Sequence, residues 1–372
     1  MKLSIERGIL LRALSSAQAI VESRNVIPIL SNLLFTANDD SVTIRTTDLQ
    51  LDFTEVIPAE VKQKGSTTMP ATMLSDIVRK LPDGGVVSFN ADPKDGRMAI
   101  HCGRSDFSLP TFPDADFPDA QKVEYSANFS ISAPILNRLF VKSRFAMSTE
   151  ETRYYLNGVC MHIAETETGH VLRCIATDGH RLALVETEAP ADAIDMPKVI
   201  IPRKAVHEIV RLSEDDDTTV AVSISDTVVR FATSSITLTS RTVEGVFPDY
   251  TKVIPDNNTR KLEVDAKDFA RAIDRVSTVS SEKTRAVKLQ IDQDQMVMSV
   301  NAPESGIGEE ALAVAYSDEP MTIGFNARFL FDIASQVDKA NATVMLNTPD
   351  DPTLIHEGDD QSAIYVVMPM RV

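Results

Sequence analysis

Tryptophan is absent from this 372-residue chain, and aromatic residues make up only 6% of it. Packing must therefore rest on Val, Ile, Leu and Ala. The 43% hydrophobic content is enough for two or three cores in a chain of this length. Only three cysteines occur, Cys102, Cys160 and Cys174. They are too few and too scattered for a disulfide framework, and they fit a reducing cytoplasm. No apolar run approaches the length of a membrane-spanning helix. Glu6, Arg7 and Arg12 interrupt the apolar start, so no signal peptide is read there. Enzyme signatures are missing too. There is no GxxxxGK[ST] phosphate loop and no GxSxG elbow. The six histidines are dispersed without ligand spacing. His101 and Cys102 adjoin, but neighbours on a strand face opposite sides. The acidic runs Asp215 to Asp217 and Asp350 to Asp351 read as solvated turns. The expectation is a protein that is not an enzyme, with no catalytic residues, no metal site and no cofactor. Positive charge is scarce as well. The net charge is −17, which taken as a whole argues against nucleic acid.

What is present is a threefold repeat. A strand leading into an amphipathic helix appears at 67–82, 199–214 and 321–337, with Pro70, Pro202 and Phe325 in matching places. An earlier strand and helix appear at 2–20, 128–147 and 261–280. Further strands follow at 27–37, 152–164 and 284–292. Alternating apolar residues then recur in GVVSFNA, TTVAVSIS and NATVMLN. The breaks fall near 120–127 and 254–260. They divide the chain into domains 1–122, 123–255 and 256–372. Each repeat reads as an α+β domain with two helices on mostly antiparallel sheets of about eight strands.

Charge sign follows element type. The predicted helices are 6–19, 71–81, 133–147, 203–213, 266–279 and 326–338. They hold 14 of the 37 basic residues and only 7 of the 54 acidic ones. In helix 266–279, Phe269, Ala272, Ile273 and Val276 form the apolar stripe. Lys267, Arg271 and Arg275 stand on the other side. Helix 133–147 has only Arg138, Lys142 and Arg144 as charges. An acidic body with basic helices suits a repeating polyanion such as duplex DNA, held by phosphates without sequence readout. The competing reading is a protein-only binding scaffold of three α+β units. It needs no basic helices. A hydrolase has nothing in its favour beyond isolated acidic pairs.

The stretches PILSNLL (28–34), RYYLNG (153–158), ATDGHRLAL (176–184), IPRKAV (201–206), GVFPDY (245–250) and YVVMPMRV (365–372) resemble the beta sliding clamps of bacterial DNA polymerase III. The resemblance spans the whole chain. It implies three repeated clamp-type domains per subunit and a ring formed as a head-to-tail homodimer, domain 1 to domain 3. It implies DNA in the hole, an ATP-driven loader that opens the ring, and a processivity role in DNA replication. Partners would be the replicative polymerase, the clamp loader, other polymerases and repair proteins, all using short peptide motifs.

By the same resemblance, a partner-peptide groove is expected at Leu156, Thr177, Gly179, His180, Arg181, Leu182, Pro248, Lys252, Val253, Asn326, Phe329, Val366, Met368, Pro369, Met370 and Arg371. The apolar members make an adaptable cleft. His180, Arg181 and Arg371 are expected to meet peptide carbonyls or carboxylates. Lys252 stands where Arg is expected, and Phe329 where Tyr is common. DNA contacts are expected from Arg24, Arg153, Tyr154 and Tyr155 in loops, and from Arg138, Lys142, Arg203, Lys204, Arg271 and Arg275 on helices. The subunit interface is expected at Phe107, Leu109, Thr278 and Val279.

Overall fold

The computed structural model describes residues 1–21, 26–92, 96–120, 122–214, 218–280, 285–303 and 305–372. Arg24 and the Asp215 to Asp217 run lie outside the described residues.

Six helices form where the apolar spacing predicts them. They are α1 (Arg7–Ile20), α2 (Ala71–Lys80), α3 (Ala133–Arg144), α4 (Arg203–Leu212), α5 (Ala266–Ser277) and α6 (Ala327–Ala334). Short side chains start three of them by accepting the unpaired amides of the first turn. Glu6 takes the N–H groups of Gly8 and Ile9, both at 2.9 Å. Asp265 takes that of Asp268 at 2.8 Å, and Asn326 that of Arg328 at 3.0 Å. α3 and α6 stop short of the predicted 147 and 338. Ser335 and Gln336 close the end of α6 by bonding back to Phe331 and Ile333. Two predicted strand starts are 3-10 turns instead. Pro28–Ser31 precedes the strand Asn32–Ala37, and Glu151–Leu156 precedes Gly158–Thr166.

Every strand pairing among the described residues is antiparallel. The chain forms two compact units. The first comprises Met1–Leu136, Pro190–Pro197 and His207–Thr242. It holds a five-stranded sheet that ends in Ser105–Pro110, and an eight-stranded sheet. In the larger sheet Leu51–Pro58 pairs with Ile236–Arg241, so strands of the first and central repeats join in one sheet. α1 lays Leu10, Ala13, Leu14, Ala17 and Ile20 inward, and it packs on α2 and on the strands Ser41–Thr47 and Leu51–Pro58.

The second unit comprises Asn137–Ala189, Lys198–Val206 and Val243–Val372. Its eight-stranded sheet joins central and third repeats in the same way, through Arg181–Glu188 against Asp360–Val367. Its four-stranded sheet ends in Gly306–Ala313. α5 covers that sheet with Phe269, Ala272, Ile273 and Val276, the stripe read from the sequence. The alternation also places Cys102 inside and His101 outside, where its ring meets Asp106 at 2.8 Å.

Candidate functional site

The strand Gly169–Thr177 turns into Arg181–Glu188 through Asp178, Gly179 and His180. Asp178 Oδ1 accepts the N–H groups of His180 (2.9 Å) and Arg181 (3.0 Å). Thr177 Oγ1 accepts from Gly179 N at 3.1 Å and donates to Arg181 O at 2.7 Å. Gly179 sits at φ 89°, and a Cβ there would stand 2.6 Å from Arg153 Nη1. Only glycine fits this turn without strain.

Behind the turn lies a buried apolar cluster of Leu156, Cys160, Ile175, Leu182, Leu184, Ile200, Phe247, Tyr250 and Val366, with Tyr155 packed against it. Burial pushes the Cys160 thiol up to about 12, so it is an inert hydrophobe. The segment Pro248 to Val253 closes one side. Asp249 caps its 3-10 turn and bonds the Thr251 hydroxyl at 2.6 Å. That bond, then Lys252, lowers the Asp249 carboxyl below its usual range. Beneath, the Tyr250 hydroxyl meets His162 Nε2 at 3.1 Å and Arg173 Nη1 at 3.3 Å. Burial lowers the pKa of His162, which favours the neutral ring. The C-terminal strand completes the cleft. Met368 N donates to His180 O at 2.9 Å, and Met370 N to Gly324 O at 2.8 Å.

The result is a cavity of about 300 Å³. Ten of the sixteen expected groove residues line it: Leu156, Thr177, Gly179, His180, Arg181, Leu182, Pro248, Val253, Val366 and Met368. The other six lie beside it or behind it. Asn326 is the cap of α6, and Phe329 stacks on His180 with centroids 6.1 Å apart. Lys252 is exposed and pairs with Asp249 at 3.2 Å. Pro369, Met370 and Arg371 continue the chain past Met368, with Met370 and Arg371 exposed. Arg153, Tyr155, Asp249 and Tyr250 also line the cavity and were not expected there. The last two belong to the GVFPDY stretch, so the signal was visible.

Several expected roles need correction. Arg181 is not available to a carboxylate ligand. Its guanidinium is buried, bonding Asp178 (3.0 Å), Asp332 (2.6 Å) and Phe145 O (2.8 Å), and it lies 4.5 Å from the Phe329 ring. It acts as a strut that ties the turn to α6. Lys142 is not a surface base. Its side chain is only 8% exposed and pairs with Glu357, itself 6% exposed, and with Asp338 at 2.8 Å. A base at that position cannot reach a phosphate. Arg203 is half-buried and donates to Met147 O and Ser148 O, both at 2.8 Å. Burial lowers its pKa, and its two bonds satisfy carbonyls beyond the end of α3. Arg138 likewise donates to Glu186 O and Ser362 Oγ. Arg275 is exposed but paired with Glu310 at 2.5 Å. Arg271, by contrast, is exposed on α5. Lys204 is half-exposed and carries an interaction of its own. Arg153 pairs with Glu150 at 2.7 Å, and Tyr154 is exposed.

At the sheet ends, Phe107 is exposed on the terminal strand Ser105–Pro110 and lines a cavity of about 530 Å³ with Pro70, Met73, Ile77 and Leu81. Leu109 is a correction. At 4% exposure it belongs to the core of its own sheet, opposite the buried Met98. Thr278 is exposed at the end of α5, and Val279 lies against Gly308 of the terminal strand Gly306–Ala313. Among the described residues no group of three or more His, Cys, Asp or Glu could hold a metal ion, and no helix is long and apolar enough to cross a membrane.

Family profiles match three successive segments. The DNA polymerase III beta subunit N-terminal domain matches 1–121, its central domain 130–249 and its C-terminal domain 251–371. The beta sliding clamp of Caulobacter vibrioides is 44% identical over 372 residues, covering 100% of both chains. That of Escherichia coli K12 is 35% identical over 373 residues, again with full coverage. A solved sliding clamp from Bartonella birtlesii, bound to griselimycin, superposes with a TM-score of 0.95 at 44% identity over the full length of both chains. With three domain profiles in order and full-length relatives at this identity, the chain belongs to the DNA polymerase III beta subunit family, the bacterial beta sliding clamps.

Proposed function

We propose that this chain is a sliding clamp subunit that encircles duplex DNA and tethers the replicative polymerase. Two copies join head to tail into a ring of three domains each, bounded near 1–122, 123–255 and 256–372. The single observation that carries this reading is full-length family membership, repeat by repeat. Two further features support it. The sheets end in open strands at the first repeat (Ser105–Pro110) and the third (Gly306–Ala313). An unpaired edge invites another chain. The first edge carries the exposed Phe107 and the second Ile307, 72% exposed, so each offers an apolar side chain to another chain.

The ring holds DNA by topology and by sparse phosphate contacts. After the corrections above, Arg271 is the foremost helical contact, with Lys204, Arg275 and the loop residues Arg153 and Tyr154 beside it. The cleft at Gly179, His180, Val253 and Met368 takes short partner peptides from polymerases, the clamp loader and repair proteins. The protein works in the cytoplasm and hydrolyses nothing itself. A protein-only scaffold would share the cleft but not the need for basic helices.

The test is retention on DNA in high salt after loading by the cognate loader. Salt screens phosphate contacts, so a simple electrostatic binder leaves circles and linear DNA alike. A clamp stays on circles and runs off linear ends. Equal loss from both forms would overturn the reading.

A further inference from the structure

The turn that builds the cleft has a counterpart in the first unit. Thr47 Oγ1 accepts from Leu49 N (3.1 Å) and donates to Leu51 O (2.9 Å). Asp48 Oδ1 accepts from Gln50 N (2.9 Å) and Leu51 N (2.7 Å). Arg241 N donates to Gln50 O at 2.9 Å. These bonds repeat, atom for atom, those of Thr177, Asp178, His180 and Arg181, and Arg241 stands where Met368 stands. Phe117, Pro118 and Asp119 likewise repeat Phe247, Pro248 and Asp249.

The counterpart also encloses a cavity, of about 90 Å³, lined by Leu49, Leu51, Pro118, Val228 and Arg241 among others. Four replacements set it apart from the larger cleft. Leu49 takes the place of Gly179 and keeps its left-handed backbone, φ 74°, while 47% exposed. A leucine held in that region carries strain that the surrounding bonds must offset. Ala120 takes the place of Tyr250. Arg45 and Asp52, paired at 2.6 Å, take the places of the apolar Ile175 and Leu182. Arg45 also donates to Pro118 O at 2.7 Å, which holds the Pro118 segment against the turn.

We propose that this cavity is a second docking cleft, for a short peptide that inserts one aliphatic side chain and sets a carboxylate on Arg241. The volume admits a single branched side chain, not the longer apolar run that 300 Å³ admits. The charge argument selects the carboxylate. Two carboxylates also line the cavity: Asp52 is neutralised by Arg45 and Asp119 is exposed to water, whereas the exposed Arg241 makes no ion pair among those of the described residues. A ligand with an anionic group therefore gains a partner at the rim that a neutral one lacks. The inference rests on reading the larger cleft as a peptide site, since the shared frame is what suggests the occupant.

The experiment is a methyl-NMR titration of the full chain, labelled at Leu and Val, with N-acetyl-leucine and separately with N-acetyl-leucinamide. Saturable shifts at Leu49, Leu51 and Val228 are expected, with N-acetyl-leucine binding at least threefold more tightly than the amide. Arg241→Ala should remove that difference and leave the amide's affinity unchanged. Methyls of Leu182 and Val366 report the larger cleft separately, and Val253→Asp should silence only those. If the larger cleft responds while Leu49 and Val228 stay still, the second cleft is shut and the proposal fails. A response at Leu49 that ignores both the carboxylate and Arg241 also overturns it. Movement at Leu49 with none at Val366 would instead sink the reading of the larger cleft.

Discussion

Lys142→Met distinguishes a base that touches DNA from one that holds the fold together. The Lys142 ammonium donates to Gln336 O at 2.8 Å and pairs with Glu357 and Asp338. Asp338 is 78% exposed, so water replaces that partner at little cost. Glu357 is different. Without the ammonium its carboxylate is left buried and uncompensated, and removing one partner of a buried pair costs about 3–5 kcal/mol. In a unit of this size each kcal/mol lowers the melting midpoint by about 2–4 °C. The transition of the second unit should therefore fall by on the order of 10 °C. Scanning calorimetry measures it, with the two units followed as separate transitions where they resolve. Lys142→Met combined with Glu357→Leu should recover most of the loss, because no charge is then stranded. The companion assay is the salt dependence of DNA association. A phosphate-contacting lysine contributes about one unit of slope in log K against log salt. Here the slope should not change. An unshifted melting midpoint together with a slope reduced by about one would refute the assignment and return Lys142 to the DNA surface.

Arg271→Glu should weaken loading onto DNA severalfold and leave the melting curve unchanged, since the side chain is exposed; normal loading would count against an α5 that faces DNA. Deleting Met368 to Val372 removes the Met368–His180 and Met370–Gly324 bonds. Partner-peptide affinity should drop at least tenfold while the dimer persists in sedimentation, and unaltered affinity would remove the cleft assignment. Gly179→Ala puts a Cβ against Arg153 at a φ of 89°. It should cost about 1–3 kcal/mol in denaturant unfolding and weaken peptide binding; a neutral substitution would mean the turn relaxes freely. Hydrogen bonds from the Ser362 hydroxyl and N–H, then Lys339, hold the Asp360 carboxyl down at about 2. An unfolded aspartate titrates near 3.9, so this group adds stability above that pH and loses it as pH falls through about 2. Asp360→Asn should flatten the acid limb of the stability curve in that window, and an unchanged limb would exclude the role.

Local chemistry was legible in the chain itself. The stripe Phe269, Ala272, Ile273 and Val276 recurs at helical spacing, and it is buried under α5 as expected. Strand alternation sorted Cys102 from His101. The TDGHR and FPDY stretches marked the two sides of the cleft through their resemblance to the family rather than through any rule of spacing. Strand alternation could not separate Leu109 from Phe107, which share a strand face; only the pairing with Met98 shows that Leu109 is covered.

The errors over charged residues share one cause. A basic residue on a helix or strand has the same appearance in sequence whether its end reaches water or a buried acid. Lys142 meets Glu357, and Arg181 meets Asp332, across separations that only strand pairing closes. Periodicity thus determined the elements, their repeat and the sign of charge on each. Tertiary structure alone decided which charges remain for a ligand, because sheets that join successive repeats bring distant segments together and desolvate some of their ions but not others.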